Sequence, residues 1–210
     1  MIYNKRLTDA ELRDANIFID QLCNIDDGVE IEANVVIKNS TINKGCKIGI
    51  NSNIENSVIH ENVKILSSFV YDCEINCGST IGPFAHIRNN SIIGANNRIG
   101  NFVEIKKSVL GSNCKVAHLT YVGDAEIGNN CNVGCGVVFC NYNGKIKQKV
   151  IVGNNVFIGS NVNLVAPLRV EDCAYIASVS TITNDVKDNT FAIARARQEI
   201  KNNFKNPYIN

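Results

Sequence analysis

One of only three histidines in this 210-residue chain, His118, stands in the stretch KVAHLTYVGD. An imidazole, with an unperturbed pKa near ~6.5, is suited to removing a proton at neutral pH. An amine that attacks an activated acyl group must lose one. Glu104 lies 14 residues upstream, where it would sit on a neighbouring layer and orient the ring. The same region carries Arg88, Lys106, Tyr121, Asn132, Asn141, Tyr142 and Lys147. Arg88 and Lys106 are 18 residues apart, and two cations side by side tolerate each other best with an anion such as a phosphate between them. A solvated basic face would give the same spacing, and a lone histidine also serves purely structural roles. On their own, these residues leave both readings open.

What must position them is a ladder with a rung at every sixth residue. Ile81, Ile87, Ile93, Ile99 and Ile105 form one series, and Val152, Ile158, Leu164, Val170, Ile176 and Ile182 form another. A helix repeats at about 3.6 residues and a strand at 2, so a period of six fits neither as one long element. It fits short strands joined by turns, each sending one aliphatic side chain into a common prism. Small residues such as Ser79, Ala85, Ser91, Cys114 and Cys131 stand two positions before the rungs, where the interior is narrow. Three hexapeptides make one coil of about 18 residues, the parallel β-helix class of solenoid. About eight such coils are expected over residues 29–186. Residues 1–28 form an N-terminal helix and linker segment, with a short helix expected within 7–23 and Thr8 as its N-cap. Residues 187–210 form a polar, basic tail. Between the rungs Phe139 and Val152 the stretch CNYNGKIKQKVI breaks the period, so an extruded loop turning at Asn143–Gly144 is expected there.

Composition narrows the function classes. Lys and Arg (21) nearly balance Asp and Glu (20), which points away from nucleic acid and anionic membrane. No apolar run is long enough to span a bilayer, and the N-terminal stretch lacks the apolar core of a signal peptide. Nine cysteines make an odd count with no CxxC pair, so a reduced cytoplasmic compartment is expected. Packing accounts for Cys46, Cys73, Cys114 and Cys131 at the small positions. Scattered histidines without Cys/His spacing imply no metal site.

The runs IGPFAHIRNN, IGNFVEIKKSVLG, HLTYVGDAEIGNNCNVGCG, CNYNG, VFIGSNVNLVAP and AIARARQ together resemble a known family. It is the acetyltransferase half of bacterial bifunctional glucosamine-1-phosphate acetyltransferase / N-acetylglucosamine-1-phosphate uridylyltransferase, within the hexapeptide-repeat acyltransferases. The resemblance is dense from about Ile81 to Gln198 and looser over the earlier coils. It implies an all-β, left-handed parallel β-helix, an exception to the usual right-handed crossover. It further implies a homotrimer with inter-subunit sites, acetyl-coenzyme A as co-substrate and donor, and an amino sugar phosphate as acceptor. The product would be N-acetylglucosamine-1-phosphate, for UDP-N-acetylglucosamine and cell-envelope precursors.

Position by position, the resemblance makes His118 the general base and Glu104 its acidic neighbour. Arg88, Lys106 and Lys147 match cations that hold sugar phosphate, and Tyr121 and Asn132 match substrate contacts. Asn141, Tyr142 and Ser160 match residues lining the acetyl group and pantetheine arm, and Arg195 meets the nucleotide end of coenzyme A. Cys135 stands where the family has alanine, and Ser178 with Val179 where it has a small pair; both places contact coenzyme A largely through backbone. No stretch resembles the Gly-rich loop of the family's nucleotidyl half, so acetyl transfer without uridylyl transfer is expected. Two alternatives accompany this reading: another amino sugar or nucleotide sugar as acceptor, or a noncatalytic trimeric solenoid that binds sugar phosphate.

Overall fold

The computed structural model describes residues 9–203 and 205. Three short strands and three turns make each coil, and each strand pairs in parallel with the strand one turn later. On the first face Ile87 lies opposite Ile105, which lies opposite Val122; on the second Ile81 lies opposite Ile99 and Ile99 opposite Val116. On the third face Ile93 lies opposite Leu110. The aliphatic rungs therefore stack on one another in three internal columns, and Ile87, Ile93, Ile99 and Ile105 are wholly buried. The result is an all-β, left-handed parallel β-helix of about ten turns.

The small positions hold the coils together as well as fitting the prism. Ser57 Oγ donates to Glu55 O at 2.7 Å and accepts from Cys73 N of the next coil at 3.1 Å. Cys46, Cys73, Cys114 and Cys131 are buried free thiols, as the repeat requires. Asparagine dominates one set of turns because it tolerates the left-handed backbone region better than other side chains do. Asn34, Asn51, Asn96, Asn113 and Asn130 all have φ between 57° and 60°. Their amides also bridge coils, as in Asn34 Nδ2 donating to Asn51 Oδ1 at 3.2 Å.

Among the described residues a short helix spans Asp9–Asp14, within the stretch where one was expected, and Thr8 lies outside the described residues. The expected bounds of the coils are corrected at both ends. Asn16, with φ 52°, turns the chain, and Phe18–Ile19 already pairs with Val36–Ile37. The six-residue series in fact starts at Ile19 and runs through Ile25, Ile31 and Ile37; near-helical spacing of Leu12, Ala15 and Ile19 masks it. At the other end Phe191–Ala192 pairs with Tyr175–Ile176. The rung there is alanine, which a hydrophobic pattern does not reveal. The coils thus run from Phe18 to Ala192, about ten turns instead of eight.

The extruded loop is where expected. Gln148 N donates to Asn141 O at 2.7 Å, and Tyr142 and Lys147 form an antiparallel bridge. Asn143 Oδ1 accepts from Lys145 N and Ile146 N, both at 3.0 Å, and Gly144 takes φ +92°, which L side chains rarely adopt. The chain rejoins the prism at Val150–Val152, paired with Ala125–Ile127. Among the described residues no helix is long and apolar enough to cross a membrane.

Candidate active site

Two long strands, Arg98–Lys106 and Lys115–Gly123, run unbroken around one corner of the prism and place Glu104, Lys106, His118 and Tyr121. Their register puts Asn101 opposite His118 and Glu104 opposite Tyr121. This corrects the expected Glu104–His118 contact. Residues 17 apart are neighbours here, so a separation of 14 leaves Glu104 three residues along the strand from the ring. Glu104 Oε1 instead accepts from Arg88 Nη2 at 2.6 Å and Nε at 2.9 Å. His118, which is exposed, has its Nδ1 2.6 Å from Asn101 Oδ1. With the amide oxygen as acceptor, Nδ1 carries the proton and Nε2 is left with a free lone pair.

Arg88 and Lys106 are direct cross-coil partners, as their spacing suggested. Lys147 reaches back from the loop to Lys106, and hydrogen bonding between the two amines lowers the Lys106 pKa, with slight burial and mutual repulsion adding to it. This is a cation cluster poised for an anion. Charged Lys106 is disfavoured in the fold, so the associated destabilisation is present below its folded pKa and is relieved as pH rises through it. Lys147→Ala is therefore expected to return the Lys106 pKa toward its ordinary value, read from the side-chain carbon shifts in an NMR titration. An unmoved Lys106 titration would show that Lys147 is not its neighbour.

Tyr121 is half-buried on the same face, with its hydroxyl 3.4 Å from Asn141 Nδ2. That nitrogen also donates to Asp124 Oδ2 at 2.6 Å. Arg88, Glu104, Lys106, Tyr121, Asn141 and Lys147 thus gather on the first face and its loop edge. Tyr142 lies on the same loop, exposed, its hydroxyl donating to Gly144 O at 2.7 Å.

A second group follows the corner that the two long strands round. Gly136 N donates to His118 O, Asn161 N to Cys135 O, Val179 N to Ser160 O, and Arg195 Nη1 to Ser178 O at 3.2 Å. His118, Cys135, Ser160, Ser178 and Arg195 therefore climb one edge, coil by coil. At about 4.8 Å per coil, four steps span about 19 Å. Asn132 joins neither group, since it pairs with Lys115 and Phe157 on the second face.

The family described as "Bacterial transferase hexapeptide (six repeats)" matches residues 72–107. The "Bifunctional protein GlmU" of Clostridium novyi is 51% identical over 173 residues, covering 82% of this chain and 38% of that protein. The one from Latilactobacillus sakei is 44% identical over 211 residues, covering 97% of this chain and 46% of that protein. The chain matches the C-terminal half of the GlmU proteins. It spans less than half the length of these GlmU relatives. A solved "UDP-N-acetylglucosamine acyltransferase" from Francisella novicida shares the fold, with TM-score 0.59 and 23% identity over 85% of this chain and 65% of that one.

Within the GlmU-like stretches, two residues escaped the reading of the sequence. Asn101 in IGNFVE was discoverable from its 17-residue separation from His118. Asp124 in HLTYVGD is 7% exposed, and only burial and contact distinguish it from the many surface aspartates. Among the described residues no cluster of His, Cys, Asp and Glu is placed to hold a metal ion.

Proposed function

We propose that the chain is an acetyl-coenzyme A-dependent N-acetyltransferase acting on glucosamine-1-phosphate, in keeping with its similarity to one half of the GlmU proteins. The observation that carries the reading is the combination of a corner track and a cation cluster in one protomer. A track about 19 Å long suits an extended pantetheine arm with its nucleotide end toward Arg195. Arg88, Lys106 and Lys147 suit a sugar phosphate.

In this mechanism His118 Nε2 takes a proton from the sugar amine as its nitrogen attacks the thioester carbonyl. The tetrahedral oxyanion is stabilised by backbone N–H groups, the C–S bond breaks, and the imidazolium returns the proton to the departing thiolate. Asn101 takes over the orienting role that the resemblance gave to Glu104. Glu104 holds Arg88 toward the phosphate. Cys135, Ser160 and Ser178 contribute lining rather than charge, and Asn132, on another face, is given no role in this protomer's half of the site.

We place the complete site between protomers of a homotrimer in the cytoplasm. The chemistry is split: His118 and its track lie at one corner, while the cations and Asn141 lie across the first face. A neighbouring copy would supply the missing wall, and Phe84, Phe102 and Leu119 form an exposed apolar ridge beside His118 that a copy would cover.

The test is thiol release from acetyl-coenzyme A with glucosamine-1-phosphate, glucosamine-6-phosphate, UDP-glucosamine and free glucosamine. Release is expected to be fastest with the 1-phosphate. Release only with a nucleotide-linked sugar would replace the acceptor, and release with none would leave a binding solenoid.

A further inference from the structure

Asp124 is a buried carboxylate in a polar site, its side chain only 9% exposed, and the mechanism above gives it no task. It sits at the loop edge with φ 48°, between the first and third faces. Its Oδ2 accepts from Asn141 Nδ2 at 2.6 Å, and its Oδ1 lies 3.5 Å from Lys107 Nζ. Its backbone is tied on both sides, N to Lys106 O at 3.1 Å and O from Val150 N at 3.4 Å. Asn141 itself is 7% exposed, and its amide nitrogen also reaches Tyr121 Oη. Gly123 makes the arrangement sterically possible. A Cβ there would collide with Tyr121 Oη and stand 2.7 Å from Asn141 Nδ2.

We propose that Asp124 is a positioning residue that fixes the orientation of Asn141, and through it Tyr121, for acetyl transfer. A side-chain amide has two donors on nitrogen and an acceptor oxygen on the other side. With the nitrogen held inward by Asp124 and Tyr121, Asn141 presents its oxygen outward, as an acceptor for an N–H of the donor or acceptor substrate. Without the carboxylate, the amide is free to turn over and offer N–H groups instead. A charge-assisted hydrogen bond is the stronger kind, and here it spans the extruded loop and the prism. The carboxylate also offsets part of the positive charge of Lys106 and Lys107, so it tempers the anion site while ordering its neighbour. This inference rests on the acetyl-transfer reading.

The test is a double-mutant cycle on Asp124→Ala and Asn141→Ala, followed by kcat/KM for acetyl-coenzyme A and by calorimetric binding of glucosamine-1-phosphate. Asp124→Ala is expected to lower kcat/KM by about ten- to a hundredfold, the range for a hydrogen bond to a charged group. In the Asn141→Ala background the same change is expected to cost less than about threefold, because the two residues act as one unit. Sugar-phosphate affinity should hold or rise, since a carboxylate has left the cation cluster. Asp124→Asn, which keeps an acceptor oxygen at the same place, should recover most of the loss. Multiplying effects in the cycle would overturn the proposal, as would an equal loss of sugar-phosphate binding, which is what collapse of the loop would give. If the wild-type chain releases no thiol with any acceptor, the acetyl-transfer reading fails, and the pairing is judged by NMR alone. The Asn141 side-chain amide protons should then exchange slowly in the wild type and fast in Asp124→Ala. Equal exchange rates would overturn the pairing too.

Discussion

His118→Ala is expected to lower turnover by about 10²–10⁴-fold, the usual worth of a general base, with the Michaelis constants nearly unchanged. The interaction lost belongs to the transition state, because the proton moves only as the amine attacks. The free Nε2 follows from the hydrogen bond between His118 Nδ1 and Asn101 Oδ1 at 2.6 Å. Asn101→Ala should therefore lower turnover too, by less, since the ring remains but its tautomer and direction are no longer fixed. Glu104→Gln separates this account from the one the resemblance implied. Glu104 holds Arg88 at 2.6 Å and does not touch the ring, so its neutral variant should raise the Michaelis constant for sugar phosphate and leave turnover close to normal. Stopped-time thiol release with saturating and limiting sugar phosphate distinguishes the two. Near-normal turnover of His118→Ala at neutral pH would make the imidazole structural and remove the mechanism.

The difference between those two assignments marks where the sequence stops being legible. The six-residue ladder encodes the prism because each rung, Ile87 or Ile105 for example, must point inward, and that is a property of one residue and its period. The loop was legible for a similar reason, since Asn143–Gly144 is a turn signal and three nearby lysines resist burial. Contacts between coils are another matter. A separation of 14 matches no coil length, so Glu104 cannot face His118. A coil of 17 at that place puts Asn101 opposite the ring, where one of 18 would put Gly100, and one residue of slip changes which side chains are neighbours. Arg88 and Lys106, 18 apart, do pair, because the slip falls after them. Ends were obscured where propensities compete: Ile19 fits both a helical face and the first rung, and Ala192 is a rung too small to register. Asp124 could not be found at all, since its importance lies in what buries it.

Leu119→Asp is expected to convert the proposed trimer to monomers in sedimentation and to lower turnover by about a hundredfold, the loss that follows when reacting groups are misplaced by about 1 Å. Phe84, Phe102 and Leu119 are 58%, 55% and 59% exposed, and all three hold left-handed backbone, with φ of 59°, 55° and 47°. Bulky residues rarely occupy that region, and each such position costs about 1–3 kcal/mol unless its surroundings hold it. The Phe84 and Phe102 rings stack at 5.4 Å and 12°, so the ridge is flat and ordered in the isolated protomer. Solvated apolar rings on strained backbone are stabilised by a surface that covers them, and Leu119 adjoins His118, so the covering copy would also wall the site. Aspartate accepts the left-handed conformation more readily than leucine does, so the variant should fold with an unchanged or higher protomer stability. A coupled loss of assembly and turnover would then come from the interface. Leu22→Asp, at a residue 73% exposed in the first coil, serves as the control and should alter neither. A wild-type chain that sediments as a monomer, or a Leu119→Asp variant that stays trimeric and active, would remove the shared site and leave each prism to work alone.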